Sequence, residues 1–102
     1  MWILRTTTGA PGGGFTFRVA PGGMKTLGRA VRADFILDAP LVSRVHCRLT
    51  ASPAGELELE DLKSTNGTFV NGERVKRSAL KAGDRLRIGR VELTVEVSEP
   101  SS

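Results

Sequence analysis

Ser64-Thr65-Asn66-Gly67-Thr68-Phe69-Val70-Asn71-Gly72 holds two Asn-Gly pairs around three residues able to form a strand. Asn-Gly is the strongest short hairpin signal, because both residues tolerate the positive φ that tight turns need. Two such turns this close together predict a compact loop presenting hydroxyl and amide groups at one edge of a β structure. Loops of that kind, held on a rigid sheet, are where recognition residues concentrate.

Upstream of this loop, Leu57 and Leu59 alternate with Glu56, Glu58 and Glu60, and Val45, Cys47 and Leu49 alternate with His46, Arg48 and Thr50. Both are period-two patterns of half-buried strands, and the second places His46 on the face opposite Val45 and Cys47. Nearer the N-terminus, Trp2 to Thr8 is rich in β-branched residues and opens the sheet. The Gly9-Ala10-Pro11-Gly12-Gly13-Gly14 segment reads as a loop. Phe15, Phe17 and Val19 give a second strand, Pro21-Gly22-Gly23 a turn, Met24 to Leu27 a third strand ending at Gly28-Arg29, and Phe35 to Leu37 a fourth. Downstream, Leu86 and Ile88 are apolar at even positions, whereas Val91, Leu93, Val95 and Val97 are apolar at odd ones. That parity switch demands a turn or bulge at Gly89-Arg90, read as a hairpin joining the last two strands. Many short strands with turn residues between them and no helical period predict an all-β sandwich. Both termini enter strands, which predicts that they lie near each other. Residues 98–102 show no apolar periodicity and read as a tail or the start of a linker, leaving residues 1–97 as the domain.

Composition narrows the function. The 102 residues suffice for one domain with a single modest core. With 39% hydrophobic and 25% charged residues the chain folds rather than staying disordered. No window approaches the run of about 18 apolar residues of a membrane span, and no signal-peptide pattern opens the chain, so the expected location is intracellular, with no membrane partner. The single cysteine, Cys47, cannot form an internal disulfide, in keeping with a reducing compartment. It reads as a core residue, because no glycine-rich anion cradle follows it as a Cys-Arg phosphatase loop requires. His46 is the only histidine, which excludes a histidine-based metal cluster. Gly12-Gly13-Gly14 lacks the Lys-Ser/Thr of a nucleotide P-loop. The net charge of +4 suits anionic partners without naming one. Lys76, Arg77 and Lys81 read as a solvated loop face, and the absence of tyrosine removes the stacking platform of a single-strand binder.

Three constellations fall in loops: Gly28-Arg29, Ser43-Arg44-Val45-His46, and Ser64-Thr65-Asn66-Gly67. Together they offer guanidinium groups, hydroxyls and an amide, with no carboxylate among them. That set suits a dianionic tetrahedral ligand, since arginine gives planar charge-assisted donors and short hydroxyls fill the remaining oxygen positions. No metal or cofactor is required.

At these residues the chain resembles the forkhead-associated (FHA) domain family. The ordered set is Gly28-Arg29, Ser43-Arg44-Val45-His46, Leu62-Lys63-Ser64-Thr65-Asn66-Gly67-Thr68-Phe69-Val70-Asn71-Gly72 and Gly83-Asp84-Arg85-Leu86-Arg87-Ile88-Gly89. The resemblance implies an eleven-stranded β-sandwich that binds phosphothreonine peptides of serine/threonine kinase pathways through loops at one end. It implies that Arg29, Ser43, Arg44 and Thr65 meet the phosphothreonine, that Asn66 and Asn71 serve the peptide chain, and that Gly28, His46 and Gly67 support the loops. It also places Leu41 where the family reads the third residue after the phosphothreonine, implying an apolar or weak preference there. The implied location is cytoplasmic for a bacterial member and nuclear for a eukaryotic DNA-damage protein. The readings left beside it are a phospho-independent scaffold or dimerisation module and, further off, nucleic-acid binding through basic loops. No base, nucleophile and metal set for an enzyme can be assembled.

Overall fold

A computed structural model describes residues 1–8 and 14–98. These form eleven strands: β1 Trp2–Thr8, β2 Thr16–Val19, β3 Met24–Gly28, β4 Phe35–Ile36, β5 Cys47–Ala51, β6 Leu57–Asp61, β7 Thr68–Val70, β8 Glu73–Val75, β9 Arg77–Leu80, β10 Arg85–Ile88 and β11 Val91–Val97. One sheet runs β2-β1-β11-β10-β7-β8 and the other β4-β3-β5-β6-β9, with no helix among the described residues. The chain is the all-β sandwich that the alternating patterns predict.

The alternation explains the core. Leu4, Val19, Leu86, Ile88, Val91, Leu93 and Val95 of the six-stranded sheet are fully buried, as are Leu27, Cys47, Leu49 and Leu59 of the five-stranded one. Each buried leucine or valine contributes about 1.5–3 kcal/mol. The first and last strands pair antiparallel from Trp2↔Val97 to Thr6↔Leu93, which brings the two ends of the fold together. The parity switch resolves as a two-residue hairpin: Ile88 pairs with Val91 across Gly89-Arg90. Gly89 has φ 63 while Arg90 is not left-handed, the pattern of a type II′ turn.

The two Asn-Gly pairs part company. Asn71 (φ 51) and Gly72 (φ 86) form the type I′ turn between β7 and β8, where Val70 pairs with Glu73. Asn66-Gly67 is not a hairpin turn. The strands on either side of it, β6 and β7, belong to different sheets, so this pair sits in a crossover from one layer to the other. Two further expectations are corrected. The basic segment from Lys76 to Lys81, read as a loop face, contains β9, and Arg77 on β9 pairs with Glu58 and Glu60 of β6. This short strand lacks an apolar alternation because it lies at a sheet edge. His46 is fully buried rather than turned out, because β5 starts only at Cys47 and the bend before it breaks the period. Of the glycine-rich loop expected over residues 9–14, residues 9–13 lie outside the described part, as do residues 99–102 of the tail.

Candidate functional site

Three connections meet at one end of the sandwich: residues 29–34 after β3, residues 37–46 before β5, and residues 62–67 before β7. Gly28 makes the first junction feasible. A Cβ there would stand 2.2 Å from the Arg44 carbonyl oxygen, so only glycine lets the two segments cross. The backbones are then joined by the amides of Arg29 and Ala30, which donate to the carbonyls of Ser43 and Arg44 at 3.0 Å each. Asp34 fixes the far end of the first loop by accepting from the Thr26 amide (2.8 Å) and hydroxyl (3.1 Å). Those two hydrogen bonds, the backbone one first, hold its carboxyl below the usual range.

The three loops enclose an open cleft of ≈ 470 Å³ at which Arg29, Ser43, Thr65 and Asn66 meet Leu41 and Asp38. Arg29 is aimed by its Nε, which donates to the Val42 carbonyl at 3.1 Å and leaves the two terminal nitrogens for a ligand. The Ser43 hydroxyl accepts from the Thr65 amide at 3.1 Å, so its own proton stays available. Asn66 donates from Nδ2 to the Leu41 carbonyl at 3.0 Å, leaving its amide oxygen for a partner. Leu41 itself has φ 70, a left-handed conformation that strains a branched side chain. Such strain persists only where the surroundings fix it, and here the Asn66 amide grips the carbonyl.

Beneath the cleft two groups, one buried and one half-buried, set the loops. The Ser43 amide donates to His46 Nδ1 at 3.0 Å, while His46 Nε2 lies 2.9 Å from the Gly67 carbonyl. An amide only donates and a carbonyl only accepts, so the ring is neutral with its proton on Nε2. Burial pushes its pKa down, outweighing the Gly67 hydrogen bond and the Asp61 charge. Asp61 is the second group. Its carboxylate accepts from the Ser64 amide (3.1 Å), the Ser64 hydroxyl and the Thr68 hydroxyl (2.6 Å). Desolvation opposes ionisation, but these hydrogen bonds hold the carboxyl below its usual range. The Ser64 hydroxyl in turn accepts from the Gly67 amide at 3.0 Å.

Arg29, Ser43, Thr65, Asn66 and Leu41 are therefore brought together, with Gly28, His46 and Gly67 behind them. Arg44 is exposed at the rim and does not line the cleft. Asn71 lies elsewhere: it donates to Asp84 (3.1 Å) and accepts from the Arg85 amide (2.9 Å), bracing the β7–β8 turn. Sequence reasoning passed over Asp61 and Asp38. Asp61 opens an Asp-Leu-Lys-Ser run whose side-chain-to-backbone bond three residues on is a recognisable signal. Asp38 has no such signal, and it adds a carboxylate to the edge of a cleft expected to have none. Cys47 is fully buried, and burial pushes its thiol up, so it is no nucleophile.

An all-β sandwich whose end loops gather unspent guanidinium and hydroxyl donors into one open cleft defines a recognition module suited to an anion. The comparisons make the class specific. The chain belongs to the FHA domain family, whose family model matches residues 25–89; this is a binding module and not a catalytic fold. It is 41% identical over 81 residues, 79% of its length, to the ABC transporter ATP-binding/permease protein Rv1747 of Mycobacterium tuberculosis, of which it covers 9%. The chain spans less than half the length of the first curated relatives that it matches. Among solved structures, one described as showing phosphothreonine-dependent FHA domain interactions superposes with a TM-score of 0.85 at 32% identity, over 97% of this chain and 98% of that one. The yeast Dun1 FHA domain, solved with a doubly phosphorylated peptide derived from Rad53, gives 0.79 at 28% identity over 99% and 77%.

Proposed function

We propose that this chain is a phosphothreonine-dependent protein-interaction module whose ligand is a phosphorylated protein of a serine/threonine kinase pathway. The observation that carries the reading is the shared cleft in which Arg29, Ser43 and Thr65 keep donors to spare while their remaining atoms are tied to the fold. A phosphate monoester brings a charge of roughly −1.5 to −2 and three acceptor oxygens. Arg29 and Ser43 take phosphate oxygens, and Arg44 reaches the same group from the rim. Thr65 adds a hydroxyl and lines the niche for the threonine methyl, a contact worth about 1 kcal/mol by area. Asn66 holds the peptide backbone through its unspent amide oxygen, and Asn71 acts indirectly through the turn it braces. Leu41 presents an apolar surface to the residues that follow the phosphothreonine. The module carries out no chemistry of its own, as Cys47 is sealed in the core and both ring nitrogens of His46 are occupied. It works inside the cell, where such kinases act.

Arg29→Ala tests the assignment. Each charge-assisted hydrogen bond contributes about 1.5–3 kcal/mol, so losing the guanidinium weakens binding of a phosphothreonine peptide by at least tenfold. The fold stays intact, because only one hydrogen bond, to the Val42 carbonyl, anchors the side chain. An unchanged dissociation constant in a calorimetric titration refutes the reading. The dephosphorylated peptide and the phosphoserine version serve as controls, both binding more weakly, and duplex DNA does not compete.

A further inference from the structure

The outer face of the six-stranded sheet carries a second basic feature beside the cleft. Arg74 on β8 pairs directly with Phe69 on β7, and Phe69 pairs directly with Arg87 on β10. The three side chains therefore stand in one row across three strands. The Arg87 guanidinium lies over the Phe69 ring, 4.3 Å from its centroid. Arg85, two residues back along β10, is exposed on the same face. Neighbouring strands lie about 5 Å apart and alternate residues about 7 Å along a strand, so the three arginines form a corner roughly 10 Å by 7 Å.

Among the described residues no carboxylate comes within salt-bridge distance of Arg74, Arg85 or Arg87, and the ion pairs formed involve Arg5, Arg48 and Arg77. The contrast with the opposite face is plain. There Arg48 and Arg77 are paired with Glu58 and Glu60, which cancels the charge of the five-stranded sheet. The row is also continuous with the cleft. The Arg74 side chain lies against Gly67, where an added Cβ would meet its Nε at 2.6 Å, and Gly67 directly follows Thr65 and Asn66.

We infer that the Arg74–Phe69–Arg87 row, with Arg85, is a second contact surface for an acidic, unphosphorylated stretch of the same protein whose phosphothreonine fills the cleft. The inference rests on the proposed function above for that first anchor. Acidic side chains fit better than a nucleic-acid backbone for two reasons. The row runs into the cleft at Gly67, so a protein seated there by its phosphothreonine reaches arginines whose planar fork takes carboxylate oxygens pairwise. The aromatic ring of the row is already covered by Arg87, which denies a base its stacking surface. Such exposed pairs act mainly together, and their joint contribution is salt-sensitive.

The test is a titration with phosphothreonine peptides of three kinds: one with Gly/Ser flanks only, one with a short Asp/Glu tract before the phosphothreonine, and one with the tract after it. At low salt one of the two tract peptides binds about tenfold more tightly than the plain one. In Arg85→Gln/Arg87→Gln that gain disappears while the plain peptide binds as before. Arg74→Gln reduces the gain and reports on the link to the cleft. A gain that survives in the double variant overturns the proposal, as does the absence of any gain in either orientation. Displacement of the tract by mixed-sequence single-stranded DNA at equal charge concentration overturns the acidic-peptide assignment. The two readings fail separately. If Arg29→Ala leaves the plain phosphopeptide untouched, the cleft assignment falls, whereas the tract's contribution is read from the Arg85/Arg87 variants.

Discussion

His46 makes the stability of the binding end depend on pH in a calculable way. Its Nδ1 accepts the Ser43 amide and its Nε2 donates to the Gly67 carbonyl, so the folded ring has no lone pair left for a second proton. Burial holds its pKa below the ordinary 6.5, which is the value the unfolded chain keeps. A depressed folded pKa means that the contribution is complete above 6.5 and is lost as pH falls below it, because the unfolded chain then takes up a proton the folded one refuses. The loss approaches at most about 1.4 kcal/mol per pH unit, a sizeable share of a total stability of about 5–15 kcal/mol. Urea unfolding at about pH 7.5 and about pH 5.5 reads this directly, and carboxylates with ordinary values near 4 contribute little in that window. His46 is the only histidine, so the slope has one principal owner. His46→Gln starts lower, by about 1–3 kcal/mol, since the Ser43 amide or the Gly67 carbonyl loses its buried partner, but its stability is flat across the window. Equal slopes in the two proteins refute the argument. Phosphopeptide affinity falls in parallel in the native chain, and the part due to protonation of the phosphate itself, with its second pKa near 6, remains in the variant.

Three other substitutions probe the supports of the cleft. Asp61→Ala strands the Ser64 amide and the fully buried Thr68 hydroxyl, so it destabilises by about 3 kcal/mol and loosens the loop carrying Thr65; a thermal midpoint within a degree of the native one contradicts this. With Asp61 held below its usual value, the native chain also loses this contribution as pH falls below 3.8, and Asp61→Asn removes that acid limb. Gly28→Ala drives a methyl into the Arg44 carbonyl, 2.2 Å away, and forces the first two loops apart; retained phosphopeptide affinity at native stability would show that the crossing is not as tight as described. Leu41→Gly removes left-handed strain of about 1–2 kcal/mol while adding unfolded-state entropy of about 0.5–1 kcal/mol, so stability rises by no more than about 1.5 kcal/mol. The same variant flattens any apolar preference after the phosphothreonine in a peptide library, and an Asp requirement in the native chain contradicts the Leu41 assignment.

What was legible in the sequence follows the kind of physics involved. Strand alternation is a local signal, and it located core positions from Val19 to Val95 and the hairpin at Gly89-Arg90, where a change of parity has no other cheap solution. Edge strands escape that reading: β8 and β9 bury little, so their composition is that of a loop. The two Asn-Gly pairs are alike in sequence and differ in structure for a non-local reason. Asn71-Gly72 joins strands that are neighbours in one sheet, whereas Asn66-Gly67 ends a crossover between layers, and only the sheet order tells them apart. The site shows the same division. Arg29, Ser43, Thr65 and Asn66 were visible because donors without nearby acceptors stand out in turn segments. The left-handed backbones of Leu41 (φ 70) and Lys63 (φ 56) were not, since neither residue favours that region, and at Leu41 the grip of Asn66 on its carbonyl is a tertiary contact. The buried brace is the deeper lesson. His46 joins the second loop to the third through Ser43 and Gly67, and Asp61 pins the third again through Ser64, so the cleft's geometry depends on polar groups that do not line it. A substitution that spares every cleft-lining residue can therefore abolish recognition by releasing either brace, and the pH dependence of His46 is the means of separating that indirect loss from loss of contact.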